Sequence, residues 1–301
     1  MNKNVKKRLH CENIVICQSN KIKKQVDEFL QLMKKFPTNY RRDPEDKRDF
    51  KFTSSVSQVL SEIENVPKIV DYSDKMSPVK NQGSLGSCVG FAVAAMKEWQ
   101  EQEEHDKEVV DGKYDTRKDR EYDLSESWIY WKAKEIDVWP EDEGTSIRYA
   151  MKVLNSVGVP TEKAWPYDDI DFGKPKRWVK MIARWALIDS YWRINNLDDL
   201  KIALLDGPVP IGVPCFYEFF YPGPDGYIEL PADESKMYGG HCLCVCGYND
   251  ITKRIKFKNS WGTRWGEKGY GYLSYSYIRR YLWDAWACKD LSVKREMLKG
   301  K

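Results

Sequence analysis

Between residues 20 and 36, Ile22, Val26, Phe29, Leu30, Met33 and Phe36 recur at helical spacing, with Lys and Gln opposite. That pattern predicts an amphipathic helix that must dock its apolar stripe on something. Pro37 to Ser55 is polar, broken by proline, and holds the charged run from Arg41 to Asp49, so it reads as an extended connector. A tight glycine- and serine-rich stretch, Gln82 to Cys88, leads into the apolar run Val89 to Met96, which reads as a buried helix with Cys88 at its first turn. Lys97 to Asp123 is dense in both signs of charge and reads as a solvated helix end followed by an exposed loop.

Ser125 is placed to cap a further helix, with Glu126 favourably set against its dipole. In the next, Ile147, Ala150, Met151 and Leu154 line one face before Gly158 and Pro160 end it. From about Trp185 the pattern changes. A short helix from Leu197 to Leu205 stops at Gly207-Pro208, and strand-like runs follow: Val209 to Val213, Cys242 to Tyr248, Arg254 to Lys258 and Tyr270 to Tyr275. A helical half followed by a β-rich half predicts an α+β fold of two lobes, with a ligand cleft at their junction.

At 301 residues, 42% of them hydrophobic, the chain can bury one large core or two. The net charge of +3 is unevenly spread: residues 1 to 65 carry 14 Lys/Arg against 9 Asp/Glu, leaving a nearly neutral body. Such a body gives no electrostatic footprint for nucleic acid. The N-terminal apolar run Ile14 to Cys17 is shorter than the ~7–15 residues a signal peptide requires. No run approaches the ~18 apolar residues of a membrane span, so neither a membrane nor nucleic acid is an expected partner.

Cys88 is the candidate nucleophile. Unpaired N–H groups and the helix dipole at its position favour the thiolate, the reactive form of cysteine. Of the three histidines, His10 lies in a basic N-terminus and His105 in a charged run, and only His241 opens a strand-like segment that can aim it. Asn259 is the candidate to orient the imidazole, because it sits where a strand yields to the loop Ser260-Trp261-Gly262. Cys242, Cys244 and Cys246 alternate along one strand face; three ligands on one face do not easily wrap a tetrahedral ion, so they are read as core and no metal or other cofactor is expected.

These residues carry a resemblance. Pro78 to Ser84 with Gly86-Ser87-Cys88, then Gly240-His241, then Asn259 to Gly262 with Trp265-Gly266, are similar to the papain-like cysteine peptidases. Leu85 and Val89 depart from the family's pattern around the nucleophile, the first removing a disulfide partner and neither touching a reacting group. The resemblance implies a two-lobe fold in which Cys88, His241 and Asn259 act as a triad and Gln82 with the Cys88 N–H stabilises the oxyanion. It implies that Trp261 shields the His241–Asn259 bond, that Gly144 is a cleft-wall glycine pairing with extended substrate, and that Gly240 leaves a neighbouring side-chain pocket open.

By the same resemblance, residues 66–301 form the peptidase domain, with a helical lobe over about 84–182 and a β-rich lobe over about 183–293. Residues 1–65 form a short pro-segment that covers the cleft, although an N-terminal extension that simply packs on the body stays open. Lys294 to Lys301 reads as a loose end. Absence of a signal and of the family's disulfide favours a reducing, cytoplasmic compartment, with a lysosome or particle reached by another route also open. The expected activity is that of a monomeric cysteine endopeptidase made as a zymogen and acting on proteins or peptides. An acyltransferase using the same triad and a non-catalytic peptide-binding homologue are the alternatives.

Overall fold

The computed structural model describes residues 23–52, 66–110, 122–167 and 175–290. The expectations for Ile22, for the junction at residues 65 and 66 and for the C-terminal end lie wholly or partly outside them, as do Cys11 and Cys17, for which the sequence favours simple burial over a disulfide to Cys88. Residues 23–35 are helical, as the apolar spacing predicts. Its docking face is narrower than expected: Phe29 and Met33 pack against the body, whereas Val26 and Leu30 are each 50% exposed.

The helical lobe is built on the central helix, Cys88–Val110, flanked by Glu126–Lys134 and Ile147–Ser156. Its first turns supply Val89, Val93, Ala94 and Met96 to a core shared with Trp128, Ile129, Met151 and Leu154. Ser125 caps the second of these helices by accepting a hydrogen bond from the Trp128 N–H. The third ends at Gly158, whose φ of +79° favours glycine. One expectation needs correction. Lys97, Glu98 and Glu101 are buried rather than solvated, because Lys97 pairs with Glu101 and Asp290 while Glu98 meets Ser77, Lys80 and the Leu124 N–H. Charge alone does not reveal such pairing.

The strands are β1 (Ile69–Asp71), β2 (Ile188–Ile194), β3 (Val209–Pro214), β4 (Tyr227–Ile228), β5 (Gly240–Asn249), β6 (Arg254–Lys258), β7 (Tyr270–Ser274) and β8 (Asp284–Asp290). They form one sheet in the order β2-β8-β3-β5-β6-β7-β4, with β1 also paired to β5. The sequence pattern foresees β3, β5, β6 and β7 but not β2 or β8. Leu243 and Val245 of β5 face one core, with Phe219, Phe257 and Trp265, while Cys242 and Cys244 face the helical lobe. The three β5 cysteines are buried free thiols, and a register shift between Val245 and Gly247 interrupts the β5–β6 ladder at Cys246. Among the described residues, no helix is long and apolar enough to cross a membrane.

The charged connector is extended, as expected, and its start is inserted in the body, while Arg42, Glu45, Lys47, Arg48 and Phe50 are exposed. Residues 38–41 run between the two lobes: the Tyr40 N–H donates to the Gly240 carbonyl at 2.9 Å and the Arg41 N–H to the Thr145 carbonyl at 3.0 Å. Thr38 donates to the Tyr238 carbonyl, and Asn39 bridges in parallel to Gly240. Asp43 is buried, accepting from Ser146, from the Arg148 N–H and from Trp286 Nε1.

Candidate active site

Antiparallel pairing explains why two residues far apart in sequence meet. His241 heads β5 and Asn259 follows the last residue of β6, so the β5–β6 hairpin brings head and tail together. His241 Nε2 lies 2.7 Å from Asn259 Oδ1. Trp261 stacks on the imidazole, with centroids 4.3 Å apart and planes 26° from parallel, covering that bond with apolar surface. His241 Nδ1 is buried without a hydrogen-bond partner.

The loop carrying Gln82 is tied to the Asn259 loop. The Gln82 N–H donates to the Ser260 carbonyl, the Gly262 N–H to the Lys80 carbonyl, and Ser260 Oγ to Gln82 Oε1 at 2.6 Å. Fixing Oε1 orients the amide, whose Nε2 donates one hydrogen to the Leu85 carbonyl and retains a second. Tyr167 Oη bonds to the Gln82 carbonyl and lies 2.7 Å from Ser87 Oγ, bracing both ends of the Gln82–Cys88 loop. A lone hydroxyl such as that of Ser260 or Tyr167 carries no signal in the sequence of what it will hold.

Cys88 begins the central helix and is fully buried, with the backbone N–H groups of Val89 and Cys242 acting on its sulfur. Cys242 follows His241 directly, so the sulfur sits at the head of β5. The expectation of a lowered thiol pKa does not hold for this closed form. Burial pushes the Cys88 thiol up to about 12, outweighing those N–H groups. Burial likewise takes His241 down to about 4, against the pull of Asn259. With water excluded, the neutral thiol and neutral imidazole are favoured over an ion pair.

The segment spanning residues 38–41 lies close against the backbone around the site. Gly144 adopts φ +81°, and a side chain there would overlap the Asn39 carbonyl, so its bare backbone lies against the inserted chain. A Cβ on Gly86, two residues before Cys88, would strike Asn39 from the same side. The space beside Gly240 is not the open side-chain pocket expected, because the Trp283 ring and the Tyr40 carbonyl fill it. An opening exists one strand away, at Gly212, where a Cβ would overlap the Tyr40 ring. Just before the segment, Phe36 stacks on Trp261 at 4.8 Å, so the N-terminal chain also touches the tryptophan that covers the imidazole.

Comparison with known proteins agrees with this geometry. Residues 66–281 match the family model described as papain family cysteine protease. An uncharacterised peptidase C1-like protein of Acanthamoeba polyphaga mimivirus is 30% identical over 246 residues, covering 77% of this chain and 75% of that protein. Xylellain, a cysteine protease from Xylella fastidiosa, superposes with a TM-score of 0.71 at 29% identity, over 85% of this chain and 97% of that one. Digestive procathepsin L 3 of Tenebrio molitor larval midgut shares the fold at a TM-score of 0.58 and 21% identity, over 87% of this chain and 78% of that one. The chain belongs to the papain family and is a cysteine peptidase.

Proposed function

We propose that this protein is an endopeptidase made in a self-blocked form, with Cys88 as nucleophile, His241 as acid and base, Asn259 as orienting group and Gln82 as oxyanion donor. The observation that carries the reading is the unpaired, buried His241 Nδ1, left free at the head of β5 while Nε2 is held by Asn259. Once water reaches the site, Nδ1 takes the Cys88 proton and the thiolate attacks the peptide carbonyl carbon. The oxyanion is met by the Cys88 N–H and the second Gln82 amide hydrogen. Collapse breaks the C–N bond, and the amine leaves with the proton from Nδ1. A water molecule deprotonated by Nδ1 then cleaves the thioester and returns the thiol.

Endopeptidase action is supported by what already lies in the cleft. The inserted segment continues at both ends, into the helix of residues 23–35 and on through residues 44–52, so the groove holds the middle of a polypeptide. Residues 1–65 fit the role of a pro-segment because residues 38–41 lie between the lobes, hydrogen-bonded to Gly240 on one side and Thr145 on the other.

The test compares the intact chain with Cys88→Ala on unstructured protein substrates, with mass spectrometry locating every cut. The reading requires internal cuts and self-shortening before Val66 by the intact chain, both lost in the variant, and a Gln82→Ala loss of about 10²–10³ in kcat. Cleavage by neither form, or equal cleavage by both, would overturn it.

A further inference from the structure

We propose that the outer side of residues 176–185 is an interaction surface that adsorbs reversibly to a membrane bearing anionic lipid headgroups. The helix Arg177–Ala183 packs inward through Val179 and Ala183, which join the core of the helical lobe. A Cβ on Gly158 would overlap the Ala183 carbonyl, so the helix rests directly on the chain just past the helix Ile147–Ser156. Beyond Ala183 the backbone keeps helical character: Arg184 is in the right-handed helical region, and the Trp185 N–H donates to the Ile182 carbonyl at 3.0 Å. The outer side is thus carried by a packed element rather than a loose loop.

That outer side is apolar where it should be polar. Trp178, Met181 and Trp185 follow one another at intervals of three and four residues, which sets them on one face, and they are 48%, 62% and 56% exposed. Single exposed apolar side chains are ordinary, but three large ones together mark a contact surface. Cations flank them. Lys176, Arg177, Lys180 and Arg184 are all exposed, and residues 175–188 contain no Asp or Glu. The nearest acids in sequence, Asp171 and Asp189, bound the stretch without interrupting it.

Charge and shape together choose the occupant. A second copy of the chain would set these cations against their own kind across a two-fold axis, and like charges in apposition oppose pairing. A single nucleic acid strand is held by a positive groove that follows its backbone, whereas this surface is the outside of a short helix standing on the body. An anionic bilayer meets both features. Tryptophan settles at the level of the headgroups, methionine reaches the acyl boundary, and lysine and arginine stay with the phosphates. Adsorption needs no spanning segment, and the expectation against a membrane partner rested only on the lack of one. Each Lys or Arg at an anionic surface is worth about fivefold in binding and each inserted tryptophan about tenfold, so the attachment is reversible.

Flotation of the full-length Cys88→Ala chain, which cannot cut itself, with lipid vesicles tests the surface apart from any peptidase activity. Vesicles of phosphatidylcholine containing about 30% phosphatidylserine should bind at least about tenfold more tightly than phosphatidylcholine alone. Raising the salt from about 0.1 M to about 0.5 M should weaken that binding at least about tenfold. Lys180→Gln with Arg184→Gln should cost about 25-fold, and Trp178→Ser with Trp185→Ser about 100-fold, with circular dichroism and thermal unfolding unchanged.

Residues 1–65 carry their own excess of Lys and Arg, so the paired variants decide which region binds. Adsorption that survives both pairs belongs elsewhere and overturns the surface, as does no adsorption to phosphatidylserine vesicles. Loss with the cation pair but not with the tryptophan pair would leave a contact of charge alone and overturns it too. Tighter binding to polyglutamate or single-stranded RNA than to vesicles, lost with the same tryptophans, would replace the membrane by a soluble polyanion. Vesicles with brominated acyl chains supply a measurement that needs no surface substitution: they should quench tryptophan fluorescence of the Cys88→Ala chain, and binding without quenching overturns insertion. None of these outcomes touches the peptidase reading, which is decided on the intact chain.

Discussion

The N-terminal segment holds on in two different ways. Residues 23–35 form a helix that lies on the β-rich lobe through Phe29, whose ring meets Tyr217, Phe220 and Tyr238 at 4.8 to 5.5 Å. Half of its apolar stripe remains open, with Val26 and Leu30 each 50% exposed. Residues 36–43 have no regular helix, yet Phe36, Tyr40 and Asp43 are all buried. The difference is in kind of contact: the helix offers surface, whereas the extended stretch offers backbone bonds to both lobes and side chains that enter preformed recesses. Hold on the cleft should therefore reside in the irregular stretch, the opposite of what amphipathicity alone suggests.

The largest effect that could break this contrast is expected from Tyr40→Ala. Emptying a buried aromatic site costs ~3–5 kcal/mol, so opening at the Arg41 N–H should rise by at least about 100-fold. Hydrogen exchange in the Cys88→Ala background measures it. A change below about threefold would move the anchor elsewhere. Phe36→Ala should follow at about 2 kcal/mol, roughly thirtyfold, because it removes a buried ring stacked on Trp261.

Acidity should act on the same stretch with a smaller effect. Burial, reinforced by the neighbouring Asp284 charge, raises the docked Asp43 carboxyl to about 6, against hydrogen bonds from Ser146 and Trp286 and the Arg148 charge. Asp284 itself is raised, chiefly by burial, and Arg193 opposes this. A released Asp43 returns to ~3.9, so the docked form binds its proton more tightly than the free form. Docking is then strongest below about pH 4 and weakens as pH rises through about 6. After correction for intrinsic exchange, protection at Tyr40 and Arg41 should fall about 25-fold from pH 4.5 to 7.5. Asp43→Asn, which keeps the shape without the charge, should flatten that slope; an unchanged slope would assign it to another group.

Much of the site's framework was legible because it depends on local order. A glycine loop before an apolar helix, a histidine at a strand head and an asparagine at a strand tail are each readable within a dozen residues. The insertion of Tyr40 and Asp43 was not legible, since their environment comes from elsewhere: Asp43 is buried by partners 103, 241 and 243 positions away. Within its own neighbours, Arg41 to Asp49 is simply a charged run. The Gly212 recess escaped for a related reason. A glycine in a strand is ambiguous until its register partners are known, and β8, which supplies Asp284, was itself missed.

The smallest expected effect tests the helical half of the contrast. Leu30 is half exposed, so Leu30→Ser forfeits only part of one side chain's burial, and substitutions at such positions usually stay within ±0.5 kcal/mol. Exchange at the Tyr40 N–H should change by no more than about twofold. Phe29→Ser should loosen protection within residues 23–35 more than at Tyr40, because Phe29 packs on Tyr217, Phe220 and Tyr238 and not on the recess that holds Tyr40. If Leu30→Ser instead opens the cleft tenfold, helix and extended stretch release as one unit, and the division between surface contact and anchored insertion disappears.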